Sequence, residues 1–382
     1  MNNNLQQHKY RFIISGGGTG GHIFPAISIA HALKSITRNA EILFVGAKGR
    51  MEMEKVPAAG YTIKGLWISG IQRKISTQNL LFPFKLISSL IKATRIIKNF
   101  KPDAVVGTGG YASGPTLRIA CWKNIPCVIQ EQNSFPGITN RLLAKRVQKI
   151  CVAHENMQRY FPAEKIIHTG NPVRKDILNL EGKRTEGFRM FEINTPGPVI
   201  LMIGGSQGAL SVNRAISNML QAFPENKVHL IWQTGESYAE TARADLTALS
   251  RSFPAAKEFI HIRRFIRRMD LAYASADMVV SRAGAIAISE LCVAGKPCIL
   301  VPLPHAAEDH QTRNAEELVK KQAAILIPDN KLGECLQDQM FRLIRDEQRM
   351  KNMRKEISAM AVRDASEKIA NEIIDLIRNE QA

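Results

Sequence analysis

Glu290 and His22 stand at the two places where this sequence is best equipped to act on a ligand. Glu290 lies in a helix-forming run that follows the short apolar Met278-Val279-Val280 and the small-residue turn Ser281-Arg282-Ala283-Gly284. Strand, turn and helix in that order make one unit. The amides opening such a helix can receive an anion. A carboxylate nearly two turns further in can accept hydrogen bonds from a vicinal diol such as that of a ribose. After the apolar run Cys298 to Val301, the segment from His305 to Ala315 crowds His310, Gln311, Arg313 and Asn314 near a strand end, where α/β sheets bind ligands. These donors and acceptors suit a ligand the size of a nucleotide. His305 and His310 are five residues apart, not the i,i+4 spacing of helical metal ligands, so no metal is expected between them.

His22 closes the run Gly16-Gly17-Gly18-Thr19-Gly20-Gly21, where loop passes into helix. An imidazole there can take a proton from an attacking hydroxyl, and the helix N-terminus favours the uncharged ring. Gly16, Gly18 and Gly21 match G-x-G-x-x-G literally, so a dinucleotide fold is the first expectation. The next strand, Glu41 to Val45, argues against a nicotinamide-dependent oxidoreductase. It runs into Gly46-Ala47-Lys48 instead of the ribose-binding acid. Two more polar loops follow apolar strands in the same half. Gly107 to Pro115 follows Ala104–Val106, and Glu131-Gln132-Asn133-Ser134 follows Pro126–Gln130. Parallel strands would bring all three loops to one sheet edge.

The pattern then restarts. Gly170-Asn171-Pro172-Val173-Arg174 reads as a turn between domains, and the polar stretch 176–196 as a loose connection. Pro198–Ile203, the loop Gly204–Ala209 and the helical Leu210–Leu220 repeat strand, glycine loop and helix, and Val228–Gln233 and Phe259–Ile262 add strands. The expected fold is α/β, with two Rossmann-like domains whose parallel sheets face a central cleft. Their expected bounds are 1–170 and 171–364, with a C-terminal helix at about 365–382 packing back on the first domain.

Composition narrows the partners. No stretch of the 382 residues approaches the ~18–20 apolar residues of a membrane span. The polar N-terminus lacks the apolar core of a signal peptide, which predicts a cytoplasmic protein. The six cysteines show no C-x-x-C spacing and read as reduced core thiols. The net charge of +18 is uneven: residues 1–170 carry 23 basic and 7 acidic side chains, the remainder 29 and 27. A polyanionic partner is expected for the first half: nucleic acid, an anionic membrane surface or a phosphorylated substrate. Nucleic acid is disfavoured, because no recognised binding module accompanies the charge. An anionic membrane surface fits better. Leu80, Leu81, Phe82 and Phe84, interrupted by Pro83, sit beside Lys85 and near Arg73-Lys74. In the helix that follows, Leu86, Ile87, Leu90, Ile91 and Ile97 form an apolar stripe expected to be core.

Seven segments carry a more specific likeness. They are Gly-Gly-Thr-Gly-Gly-His (17–22), Gly-Gly-Tyr-Ala-Ser-Gly-Pro (109–115), Glu-Gln-Asn (131–133), Gly-Asn-Pro-Val-Arg (170–174), Gly-Gly-Ser-Gln-Gly-Ala (204–209), Ser-Arg-Ala-Gly-Ala (281–285) and Asp-His-Gln-Thr-Arg-Asn-Ala (309–315). In order, over roughly residues 10–320, they resemble the MurG family of bacterial peptidoglycan glycosyltransferases. The resemblance implies a GT-B fold and an inverting transfer of N-acetylglucosamine from UDP-N-acetylglucosamine. The acceptor is the 4-hydroxyl of undecaprenyl-pyrophosphoryl-N-acetylmuramoyl-pentapeptide (lipid I), and the product is lipid II. It implies no cofactor and no obligatory metal. It also implies a peripheral place on the cytoplasmic face of the bacterial inner membrane, with neighbouring cell-wall synthesis proteins as further partners. Another UDP-sugar-dependent GT-B transferase is the alternative.

Carried over by residue, the likeness gives Glu290 the ribose hydroxyls, the main chain at Ile266 the uracil, and Ser206 with Arg174 the diphosphate. Gln311 and Asn314 address the sugar, and Arg282, Thr19, Gly20, Gly21 and Asn133 join the donor set. The acceptor's pyrophosphate lies near the loop of Gly17 and Gly18, which extends to Gly21, and near Gly109, Gly110 and Tyr111. His22 is the general base and Glu131 the second candidate. Some members have a glutamine before the one matching Gln311, where this chain has His310.

Overall fold

The structure, a computed structural model, describes residues 9–37, 39–70, 81–205, 208–304 and 309–381. The chain forms two compact units, residues 1–173 with 363–382, and residues 174–362.

In the first unit, seven parallel strands lie in the order β3-β2-β1-β4-β5-β6-β7. They are β1 (Arg11–Gly16), β2 (Glu41–Ala47), β3 (Thr62–Leu66), β4 (Ala104–Gly109), β5 (Cys127–Glu131), β6 (Lys149–Val152) and β7 (Ile166–His168). Alternate residues face opposite sides. Phe12, Ile14, Phe44 and Val106 enter one core, while Ile13, Leu43, Val45 and Val105 enter the other. Both faces are covered at the middle of the sheet, so β1, β2, β4 and β5 read as continuous apolar runs and not as alternating ones. The first core is closed by helix α1 (Gly20–Ile36) and by the C-terminal helix Ala365–Gln381, which contributes Ile369, Ala370, Ile373, Ile374 and Ile377 at helical spacing. The order reverses between β1 and β4. At such a switch point the flanking loops diverge and leave a crevice at the strand ends.

Helices α2 (Glu52–Ala58), α3 (Phe82–Phe100) and α4 (Ser113–Trp122) complete what matters here. Two expectations for the α3 region need correction. Phe82, Pro83 and Phe84 do not precede the helix; they form the first turn of α3, where the proline's missing N–H costs nothing. Nor is the whole stripe core. Ala93 and Ile97 are buried and Phe82, Leu86 and Leu90 pack partly inward, but Phe84, Ile87 and Ile91 are 65%, 57% and 49% exposed.

The second unit repeats the plan with six parallel strands in the order β10-β9-β8-β11-β12-β13. They are β8 (Val199–Ile203), β9 (His229–Gln233), β10 (Ile260–Arg263), β11 (Met278–Arg282), β12 (Cys298–Val301) and β13 (Ala324–Leu326). Here the switch point falls between β8 and β11. Residues 176–196 are not a loose connection. Arg184–Phe191 is a helix, α5, whose Phe191 is fully buried. Gly187 makes this packing possible, since a Cβ there would come within 2.7 Å of the Leu271 carbonyl oxygen on the facing helix Met269–Ser275. The six cysteines are unpaired, four of them buried.

Candidate active site

In the first unit, the loops after β1, β4 and β5 meet at the switch point. His22 lies in the first turn of α1, which Thr19 precedes in extended conformation. Its Nδ1 stands 3.0 Å from Gln132 Oε1. The Gln132 side-chain nitrogen donates to the Thr108 carbonyl (2.9 Å), to the Gln130 carbonyl (3.2 Å) and to Gln130 Oε1, which fixes the amide with its oxygen towards His22. In the neutral ring, Nδ1 therefore carries the proton and Nε2 keeps its lone pair. The second glycine loop closes on the same ring. A Cβ at Gly109 would lie 2.7 Å from His22 Nδ1, and one at Gly110 would lie 2.3 Å from the Gly17 carbonyl oxygen. Both glycines also have positive φ, +98° and +85°, so space and backbone both require glycine. Tyr111 follows, half exposed.

Glu131 and Asn133 sit on the neighbouring strand end in a different arrangement. The Glu131 carboxylate is buried. It accepts from Asn133 N (3.0 Å), Asn133 Nδ2 (3.2 Å), Gly137 N (3.1 Å) and Asn140 Nδ2 (2.9 Å). Four donors on two oxygens fold the segment 131–140 around this side chain. The acid missing from the end of β2 also has a counterpart. Glu52, in the first turn of α2, turns its carboxylate back to the Gly18 and Ala47 amides. It is fully buried with each oxygen held by a backbone amide, so it does not stand as the strand-end acid of a dinucleotide site.

In the second unit, Glu290 lies in the helix Ala285–Ala294 and is only 6% exposed. Its carboxylate takes a two-pronged ion pair from Arg174, Nε to Oε1 at 2.9 Å and Nη2 to Oε2 at 3.1 Å. The Tyr273 hydroxyl donates to Oε2 at 3.2 Å. The structure thus joins two residues that the family resemblance assigns separately to ribose and diphosphate. Burial works against the Arg174 charge, but the adjacent carboxylate outweighs it and raises the guanidinium pKa above its ordinary value. Burial, and then the Glu290 charge, push the Tyr273 hydroxyl well above its ordinary pKa, so it remains a donor.

Other members of the predicted donor set lie around the same strand ends. The Ile266 amide donates to Gln233 Oε1 (3.0 Å). Arg282 is held by Asp329, by Ser211 Oγ (2.8 Å) and by the Pro302 carbonyl (3.1 Å). In the helix His310–Lys320, Gln311 Oε1 accepts from the Leu303 amide (2.9 Å), and Asn314 is buried one turn on. Ser206, Leu80 and the basic pair Arg73-Lys74 lie outside the described residues. Gln132, Glu52 and Tyr273 were not singled out by sequence. Only Gln132 had a signal, its place between Glu131 and Asn133.

Two family models match the chain. The glycosyltransferase family 28 N-terminal domain covers residues 12–152 and the family 28 C-terminal domain residues 199–369. The UDP-N-acetylglucosamine–N-acetylmuramyl-(pentapeptide) pyrophosphoryl-undecaprenol N-acetylglucosamine transferase of Flavobacterium psychrophilum is 49% identical over 374 residues, 98% of this chain and 100% of the relative. The protein of the same name from Christiangramia forsetii is 51% identical over 369 residues, 97% of this chain and 98% of the relative. The crystal structure of Acinetobacter baumannii MurG has a TM-score of 0.73 at 28% identity and covers 96% of this chain and 100% of that one. The two Rossmann-like domains are those of a GT-B fold. With both family domains in order, and about half its residues shared with these relatives over nearly its whole length, the chain belongs to glycosyltransferase family 28, in the group its N-acetylglucosamine transferase relatives form.

Proposed function

We propose that this chain transfers N-acetylglucosamine, with inversion, from UDP-N-acetylglucosamine to the 4-hydroxyl of the N-acetylmuramoyl group of lipid I, giving lipid II. The observation that carries the reading is the near-full-length identity to transferases named for that donor and acceptor. In the reaction the acceptor oxygen attacks the anomeric carbon, the bond to UDP breaks, and the hydroxyl proton passes to a base. His22 Nε2 is the group with a lone pair to receive it. Glu131 shapes the loop beneath, because its oxygens already accept four hydrogen bonds.

The first unit serves the acceptor through its glycine loops at 17–21 and 109–111. The second serves the donor, with Glu290 taking the ribose hydroxyls, and with Gln311 and Asn314 on one helical face for the sugar. Arg174 holds the Glu290 carboxylate in place. Helix-opening amides offer partial positive charge to a diphosphate without a metal. The test is transfer of labelled N-acetylglucosamine from its UDP conjugate to a short-chain lipid I analogue, run with and without chelator. Labelled product in both arms is expected. No product from either would overturn the reading, and loss only with chelator would overturn its metal-free form.

The acceptor's polyprenyl tail stays in a bilayer, so the enzyme must come to the membrane. Among the described residues no helix is long and apolar enough to cross one. The exposed Phe84, Ile87 and Ile91 recur along one side of α3 and line an open groove of ≈ 940 Å³ together with Lys64, Lys92 and Arg95. Apolar contact and cationic attraction, each weak alone, together give reversible binding to an anionic surface. The double variant Phe84→Ser/Ile87→Ser should sediment less with anionic vesicles than the parent and keep its activity on a water-soluble acceptor. Equal sedimentation of the two would count against this patch.

A further inference from the structure

Glu52 has no part in the reaction as described, and the glycine-loop pattern does not include it. One oxygen of its fully buried carboxylate accepts from the Gly18 amide and the other from the Ala47 amide, each at 2.9 Å. Gly18 lies just past β1 and Ala47 closes the adjacent, hydrogen-bonded β2. One charged side chain therefore ties two neighbouring strand ends together on the edge where α/β sheets bind ligands. Its seat is close. A Cβ at Gly17 would lie 2.2 Å from Glu52 Oε1, and one at Gly46 would lie 2.5 Å from its Cγ. Gly17 is thus held between Glu52 and Gly110, the residue whose own Cβ would strike the Gly17 carbonyl.

A buried carboxylate is costly, and an apolar side chain of similar volume would serve packing at least as well. What the carboxylate adds is an inward-facing acceptor for one loop amide. Gly18 has φ +87°, a conformation open to glycine, and its N–H is turned towards the protein interior. That amide is not available to a ligand, and a negative charge lies beneath residues 17–18. An anion approaching this loop is directed to the amides at the opening of α1.

We propose that Glu52 is a positioning residue that holds the 16–19 loop in the shape that receives the acceptor's pyrophosphate. The proposal rests on the reading that this loop serves the acceptor. Glu52→Gln keeps the volume but turns an amide N–H₂ towards one backbone N–H. It should raise the acceptor KM roughly tenfold or more, the scale of one charged hydrogen bond, with donor KM and kcat within about twofold. Gly17→Ala presses on the same carboxylate from the loop side and should do likewise. The double variant should fall short of the product of the two effects, because both act on one contact. Gly17→Ala carries the test if the glutamine variant does not melt cooperatively, and Glu52→Asp, which retracts the charge, if neither does.

Tyr111→Ala is run beside them to test the acceptor reading itself. A raised acceptor KM for Tyr111→Ala with an unchanged one for the Glu52 and Gly17 variants would overturn the role of Glu52 and leave the acceptor site standing. A raised donor KM in all three would overturn the acceptor reading and the proposal with it. Lower melting temperatures with both KM values unchanged would show Glu52 to serve folding alone, and would also overturn the proposal.

Discussion

His22→Ala is expected to lower kcat by about 10²–10⁴-fold, the usual contribution of a general base, while UDP-N-acetylglucosamine binding stays nearly unchanged. The expectation comes from how the ring is held. Gln132 cannot turn its amide over without losing its bonds to the Thr108 and Gln130 carbonyls, so it presents an oxygen to Nδ1. The Nδ1 proton is thereby fixed, and Nε2 is left to accept the proton of the attacking hydroxyl. Gly109 packs against the ring and Thr108 Oγ1 donates to the His22 carbonyl at 2.8 Å, so both the ring and its backbone are constrained. A His with only a packing role would lower stability and disturb donor and acceptor alike, so melting must be recorded with the kinetics. His22→Gln is the useful companion, since it offers polar atoms of similar reach but no comparable base. Normal melting with a kcat within a few-fold of the parent, in either variant, would remove His22 from the base role.

The glycine loops of the first unit's candidate site were legible because glycine has few substitutes where it is needed. Gly109 and Gly110 combine positive φ with approaches to His22 and Gly17 that no Cβ permits, and such positions stand out in a sequence as unbroken glycine runs. The central strands were legible because both of their faces are covered and each is one apolar run, whereas Thr62–Leu66, Lys149–Val152, Ile166–His168 and Ala324–Leu326, short or carrying polar residues, were not. Side-chain partners across the fold were not. Arg174 and Glu290 are 116 positions apart, and nothing local distinguishes an arginine bound for a diphosphate from one bound for a carboxylate. Glu52 reads as an ordinary first-turn helix acid, and only the pairing of β1 with β2 brings it beneath Gly18. Glu131 and Gln132, neighbours at a strand end, point different ways. Period-two alternation predicts that they differ but not which one faces the histidine. In α3, Ile87 and Ile91 fall one position beside Leu86 and Leu90, too close for sequence periodicity to separate core from surface. The helix Arg184–Phe191 was hidden because only Gly187 and Phe191 of its eight residues are buried, too few to mark an apolar stripe.

The second large effect is expected at Glu290. Glu290→Gln should lower donor kcat/KM on the order of 10–100-fold, since a charged hydrogen bond contributes roughly 1.5–3 kcal/mol and the carboxylate is proposed to accept two from the ribose. The same change leaves the partly buried Arg174 guanidinium beside a neutral amide. Breaking one side of a fully buried ion pair costs about 3–5 kcal/mol and of this partly exposed one less, so a lower melting temperature is part of the expectation and the ligand affinities decide the role. If Glu290 receives the ribose and Arg174 only holds the carboxylate, then Glu290→Gln and Arg174→Lys should weaken uridine and UDP by similar factors, because lysine cannot supply the two-pronged grip seen at 2.9 and 3.1 Å. If Arg174 instead leaves the carboxylate for the diphosphate when donor binds, Arg174→Lys should weaken UDP and spare uridine. Tyr273→Phe removes one 3.2 Å hydrogen bond and keeps the ion pair, so it should show a smaller loss of the same kind as Glu290→Gln. Uridine and UDP affinities unchanged in folded Glu290→Gln would sink the ribose assignment.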